Sequence, residues 1–220
     1  TRNRGRYSGY INSVNKKGFK STIQPGNLVK VNWRARIEES LGSYKLELIE
    51  AYSSNFMYES INLLTLSSIC SLCNETLPER EPLPEIFKSI FAIISNPPET
   101  IESLICKYIF LELDMLAILG FGLDFSSCVV SGSKKDLTWV SPKSGKAVSY
   151  SAGKKYRNKL LSLPSFLIYK ELSKNIDEIY SGLILTGYFI NKYLYNDYGK
   201  KLPINRIRLL NQIKKFRNHE

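Results

Sequence analysis

Ten lysines and arginines stand in the first 53 residues against four carboxylates, with aromatic residues threaded among them. Arg6, Lys16, Lys17, Lys20, Lys30, Arg34 and Arg36 are of the type that neutralises phosphates. Tyr7, Tyr10, Phe19 and Trp33 carry flat faces on which unpaired bases stack whatever their sequence. Phe19 lies beside the basic turn Lys16-Lys17-Gly18 and is the stacking candidate, with ordinary packing as the competing reading. Trp33 alternates in step with Val31 and Ala35, which points to the core instead. For the cations the competing reading is an idle solvated face.

Two more basic clusters follow. Lys154, Lys155, Arg157 and Lys159 form one, and Lys200, Lys201, Arg206 and Arg208 the other. Between the first basic zone and these lies an acidic stretch, residues 54–133, with ten Asp/Glu and three Lys/Arg. The net charge is +11, and clustered positive charge is the footprint of a polyanionic partner. Cys70-Ser71-Leu72-Cys73 has C-x-x-C spacing, open to reading as half a zinc site, a redox pair or free thiols. A structural zinc needs four ligands, and His219 is the one histidine, so no metal and no cofactor are expected. No phosphate-cradling glycine loop, paired-carboxylate site or nucleophile near a histidine is found, which argues against an enzyme.

These residues must be held by two kinds of element. Val29, Val31, Trp33, Ala35 and Ile37 alternate with Lys30, Asn32, Arg34 and Arg36, which predicts a half-buried strand with a basic open face. Leu41-Gly42-Ser43 reads as a hairpin connection, and Tyr44, Leu46 and Leu48 as the returning strand. Arg6–Val14 is a third strand, and Gln24-Pro25-Gly26-Asn27 a turn. Short basic strands in about 50 residues predict a small OB-fold barrel over residues 1–53, with its first strand missing before Thr1.

From residue 54 the apolar period becomes helical. Helices are predicted to end near Thr76 and to run from Pro84 to Ile94. A central helix follows Asn96, read as its N-cap with Pro97 and Glu99 in the first turn, and ends at Gly120. It is apolar nearly all round, and Glu102, Lys107, Glu112 and Asp114 break the pattern. Residues 126–151 read as a small hairpin around Leu137–Val140. Helices are then expected at Lys154–Leu161, Pro164–Ser173 and Asp177–Asn196, with a short one in the tail on the stripe Ile204, Ile207, Leu210 and Ile213. No apolar run is long enough to cross a bilayer.

Three blocks carry a resemblance. They are Gly5-Arg6 with Lys16–Ser21 and Gln24-Pro25; Phe110–Cys128 with Gly120-Phe121-Gly122; and Tyr193-Leu194 with Gly199–Pro203 and Arg206. In this order they resemble the bacterial RecO family of recombination mediators, beginning about 25 residues into the family's pattern. The resemblance implies an N-terminal OB-fold that binds single- and double-stranded DNA, followed by a helical domain. It also implies strand annealing and RecA loading with RecR and the C-terminal tail of SSB, without enzymatic turnover. Family members that hold zinc do so at the small hairpin through two C-x-x-C pairs. Here Ser131 stands where Cys128 would have its C-x-x-C partner, and no cysteine lies between Trp139 and Ser149, so the insert is zinc-finger-like without its ligands. The implied tail is acidic with an apolar end, and either late basic cluster would suit as the rim of its pocket.

The sequence therefore predicts an α+β protein with an OB-fold domain at 1–53 and a helical domain at 54–220 carrying the hairpin insert. The DNA-facing residues are Arg6, Lys16, Lys17, Phe19, Lys20, Lys30, Arg34 and Arg36. The expected role is DNA-binding mediation of repair in the bacterial cytoplasm, associated with the nucleoid. The rival is a non-catalytic adaptor whose basic surface docks acidic tails, and the weaker rival an RNA- or ribosome-bound OB protein.

Overall fold

The computed structural model describes residues 1–11, 19–37, 40–96, 99–196 and 199–218. Lys16, Lys17, Pro97, Asp197, Tyr198 and His219, and the strand expected beyond Ile11, lie outside them. The chain forms two compact units, 1–98 and 99–220. α and β elements are mixed, and among the described residues no helix is long and apolar enough to cross a membrane.

The first unit holds β1 (Gly9–Ile11), α1 (Phe19–Thr22), β2 (Leu28–Arg34) and β3 (Gly42–Glu50). They are followed by a 3-10 turn (Tyr52–Phe56), α2 (Ser60–Thr76) and α3 (Pro84–Ile94). β2 and β3 are antiparallel, β1 joins β3 in parallel, and the order is β1-β3-β2. Among the described residues this is an open three-stranded sheet rather than a closed barrel. Phe19–Thr22 form a single helical turn, closed by Ile23 N–H donating to the Phe19 carbonyl. The connection between β2 and β3 is longer than predicted, because β2 ends at Arg34 rather than Ile37, and Gly42 already belongs to β3. A Cβ there would sit 2.4 Å from the Trp33 indole, so only glycine lets the ring lie on the strand.

The second unit is built on α4 (Ile101–Ile118). The hairpin β4 (Leu137–Val140) and β5 (Ala147–Ser149) follows, then α5 (Tyr150–Gly153), a 3-10 segment (Lys154–Lys159) and β6 (Leu161–Ser162). The unit ends with α6 (Ser165–Tyr169), α7 (Ile176–Ile190), a π-helical turn (Asn191–Tyr195) and α8 (Ile204–Arg217). α4 is capped by Thr100, whose hydroxyl accepts from Ser103 N–H at 3.1 Å, and not by Asn96. Gly120 follows the helix with φ +90°. Leu104, Ile105, Tyr108, Ile109, Leu111, Met115 and Leu116 are buried, and α7 packs on them with Ile179, Leu183 and Phe189.

Lys154–Lys159 are not the start of an α-helix. The segment carries no apolar stripe, and the chain after it extends into β6, where Leu161 pairs with Val140. α6 is shorter than predicted, ending at Lys170 in the left-handed conformation.

Candidate nucleic-acid interface

In the β2–β3 pair Lys30 faces Glu47, Asn32 faces Lys45 and Arg34 faces Ser43. Lys30, Asn32, Arg34 and Lys45 are all exposed, so one side of the sheet presents three cations. Glu47 is the one carboxylate in those three pairs, 3.8 Å from Lys30 in a solvent-exposed pair of small energetic worth. Arg36 continues the row just past β2 and is exposed, as is Lys20 on α1, where Phe19 is half-buried. Lys45 was missed in the sequence because it shares its alternation with Glu47, which offsets its charge there. Its value appears only when the register sets it beside Lys30 and Arg34.

The other side of the sheet carries Val29, Val31 and Trp33 with Tyr44, Leu46 and Leu48 opposite. All of these but Leu48 line a concavity of about 1060 Å³ with Arg4 and Ile23. Trp33 is half-buried and its indole N–H donates to the Ser8 carbonyl at 3.1 Å. Tyr7 meets its ring edge-on at 5.1 Å, and the Arg80 guanidinium lies 5.2 Å from its centroid. Trp33 is thus a packing residue with its faces engaged.

Arg6 does not sit as a free phosphate contact. Its Nε donates to the Leu77 carbonyl at 3.0 Å and a terminal nitrogen lies 3.1 Å from the Glu79 carboxylate. Arg80 N–H donates back to the Arg6 carbonyl at 2.8 Å, so Arg6 ties the start of the chain to the loop after α2. Ser8, in hydrogen bond with Glu79, and then Arg6 and Arg80 hold that carboxyl below its ordinary range, which keeps it charged opposite Arg6.

The second departure is Arg206. It is 2% exposed and forms a bidentate pair with the wholly buried Glu112, at 2.9 and 3.1 Å. It also donates to the Leu183 carbonyl at 2.6 Å and to the Thr186 hydroxyl at 3.3 Å, and Thr186 donates to Glu112. Burial alone lowers the guanidinium pKa, but Glu112 outweighs it and, with Tyr108, pushes it up. Arg206 therefore leaves the tail-binding set, whereas Lys200, Lys201 and Arg208 of that cluster are exposed. Lys154, Lys155, Arg157 and Lys159 are exposed as well.

Among the described residues no three His, Cys, Asp or Glu side chains come together as a metal site. At the hairpin, Cys128 Sγ accepts from Ser131 N–H at 3.5 Å and from Ser149 Oγ at 3.4 Å. Burial pushes this thiol up, but those donors outweigh it and bring the pKa down to about 6. Hydrogen bonds from two serines thus cross-link the knuckle of the hairpin.

A family model described as Recombination protein O C terminal matches residues 58–203. The DNA repair protein RecO of Rhodospirillum centenum is 36% identical over 217 residues, covering 98% of this chain and 86% of that protein. The namesake in Rickettsia canadensis is 41% identical over 197 residues, covering 90% and 80%. The chain belongs to the RecO family. The RecO family is one of DNA repair and recombination, and within the second unit the second and third of the blocks that carried the resemblance meet in space. Glu112, at the head of the second block, pairs with Arg206 of the third. Phe121 of the glycine-flanked turn stacks on Tyr193 of the third block, with centroids 4.7 Å apart. Lys192 beside it donates to the Pro142 carbonyl at 2.7 Å and lies 4.7 Å from the Tyr193 ring, tethering the hairpin turn to the end of α7.

Proposed function

We propose that this chain binds single- and double-stranded DNA and acts as a recombination mediator without catalytic turnover. In that role it promotes strand annealing and RecA loading together with RecR and SSB. The setting is the bacterial cytoplasm at the nucleoid. The observation that carries the DNA contact is the basic side of the first unit's sheet, where Lys30, Arg34 and Lys45 stand exposed and adjacent, continued by Arg36. A row of cations on a pleated surface tracks a phosphate backbone, and its strength falls with salt. Lys20 and Phe19 on α1, and Lys16 and Lys17 before it, extend the same proposal. On this reading the sheet is part of an OB-type barrel, residues 1–53 are the DNA module of a helical protein, and the small hairpin is a zinc-finger-like insert held without metal.

The acidic tail of SSB, ending in an apolar residue, fits α8. Ile204, Ile207 and Arg208 share one side at helical spacing, exposed 59% and 37% for the two isoleucines, with Lys200 and Lys201 just before the helix. Anisotropy of a labelled single strand tests the main reading. K30A/R34A/K45A is expected to bind more weakly, with the log-log salt slope reduced by about 2 units. An unchanged slope in that variant contradicts it.

A further inference from the structure

The densest charge in the second unit lies between residues 134 and 159, where eight Lys/Arg face one carboxylate, Asp136. All eight cations are exposed, and none forms an ion pair among the described residues. Asp124 pairs with Lys146 through the backbone, and its carboxylate feels the Lys146 charge without an ion pair. Of the three large aromatic side chains in the same segment two are exposed, Tyr150 at 50% and Tyr156 at 60%.

Their positions are built. Tyr150 opens α5, and its N–H donates to the Asp136 carbonyl at 2.8 Å. Its ring lies on Trp139 of β4, with centroids 5.6 Å apart and planes within 18°. Lys154 Nζ stands 5.7 Å from the Tyr150 centroid. The 3-10 segment places residues three apart in one column. Lys154 and Arg157 therefore share a column, and Tyr156 and Lys159 share the next.

We propose that this end of the hairpin is a second single-strand contact of the protein. An unpaired base stacks on Tyr156 and its neighbour packs against the exposed edge of Tyr150, whose face lies on Trp139, and Lys154, Lys155, Arg157 and Lys159 take the phosphates between them. Interleaved cations and exposed rings match a polyanion whose bases are free to stack. An acidic peptide would need only the charge, and a duplex hides its base faces. The basic side of α8 differs in kind, since its exposed neighbours are aliphatic. The proposal rests on the reading of the chain as DNA-binding and adds to it a site in the other unit.

The test uses the full chain with fluorescein-labelled oligothymidylate and a duplex of equal length. K154A/K155A/R157A/K159A is expected to lower the single-strand salt slope by about 2–3 units, at about 0.7 per phosphate. Y156A is expected to weaken single-strand binding at least about fivefold, the low end for one stacked base, with duplex affinity unchanged. Photocrosslinking of iodouracil oligonucleotides to the wild-type protein should label Tyr150 or Tyr156. An unchanged slope in a quadruple variant of native melting temperature overturns the proposal. So does crosslinking confined to residues 1–98, or a quadruple variant that loses only binding of an acidic peptide. If K30A/R34A/K45A lowers the slope and the hairpin variant does not, this site alone fails. If the wild-type chain binds no oligonucleotide, both fail.

Discussion

At the scale of single residues, the Glu112–Arg206 pair does the most to define the second unit. Two charges withdrawn from water are tolerable only because each meets the other bidentately and the remaining lone pairs and protons find Thr186 and the Leu183 carbonyl. Replacing Glu112 with Gln leaves a buried guanidinium without its counter-charge, and the expected loss is about 3–5 kcal/mol in urea denaturation. A double E112L/R206M variant should recover much of it, since apolar replacement of a whole buried pair is often near neutral. Gly187 belongs to the same arrangement. A Cβ at that position would stand 2.5 Å from the guanidinium, so G187A is expected to destabilise by about 1–3 kcal/mol. Arg6 offers a contrast in the first unit. R6A should lower stability through the lost Leu77 and Glu79 contacts while leaving the salt slope of DNA binding unchanged. A lowered slope would return Arg6 to the phosphate path.

At the scale of elements, α8 shows what a sequence pattern can and cannot fix. Its apolar residues at 204, 207, 210 and 213 read as the inward stripe, yet the buried positions are Arg206, Leu209 and Ile213. The stripe is rotated because Arg206 must reach Glu112, and nothing in a hydropathy pattern announces that a charge will lead the buried face. L209A is therefore expected to cost about 2–5 kcal/mol in chemical denaturation. I204A should stay within about 0.5 kcal/mol, as befits an exposed site. The reverse order would restore the original stripe. α2, α3, β2 and β3 were legible because their periods and prolines act locally. The cap of α4 moved to Thr100, since several polar residues before the helix offer a cap and only folding selects one. The 3-10 segment was missed because its course is decided by the pairing of Leu161 with Val140, far away in sequence.

At the scale of the molecule, charge is distributed by unit and by surface. In the first unit Lys30, Arg34 and Lys45 gather on one side of a sheet, and in the second the exposed cations cluster at the hairpin end and along α8. The basic side of the sheet was legible from alternation alone. The presence of Lys45 on it, the engagement of Arg6 by Glu79 and the burial of Arg206 depend on strand register and long-range pairing that composition does not report. The central claim is that the exposed cations of the sheet hold the phosphates of a single strand. Its most direct test is the affinity for a labelled oligonucleotide across a salt series, wild type beside K30A/R34A/K45A at matched thermal stability. The account predicts steep salt dependence in the wild type and a slope lower by about 2 units in the variant. Equal slopes in the two proteins would contradict it.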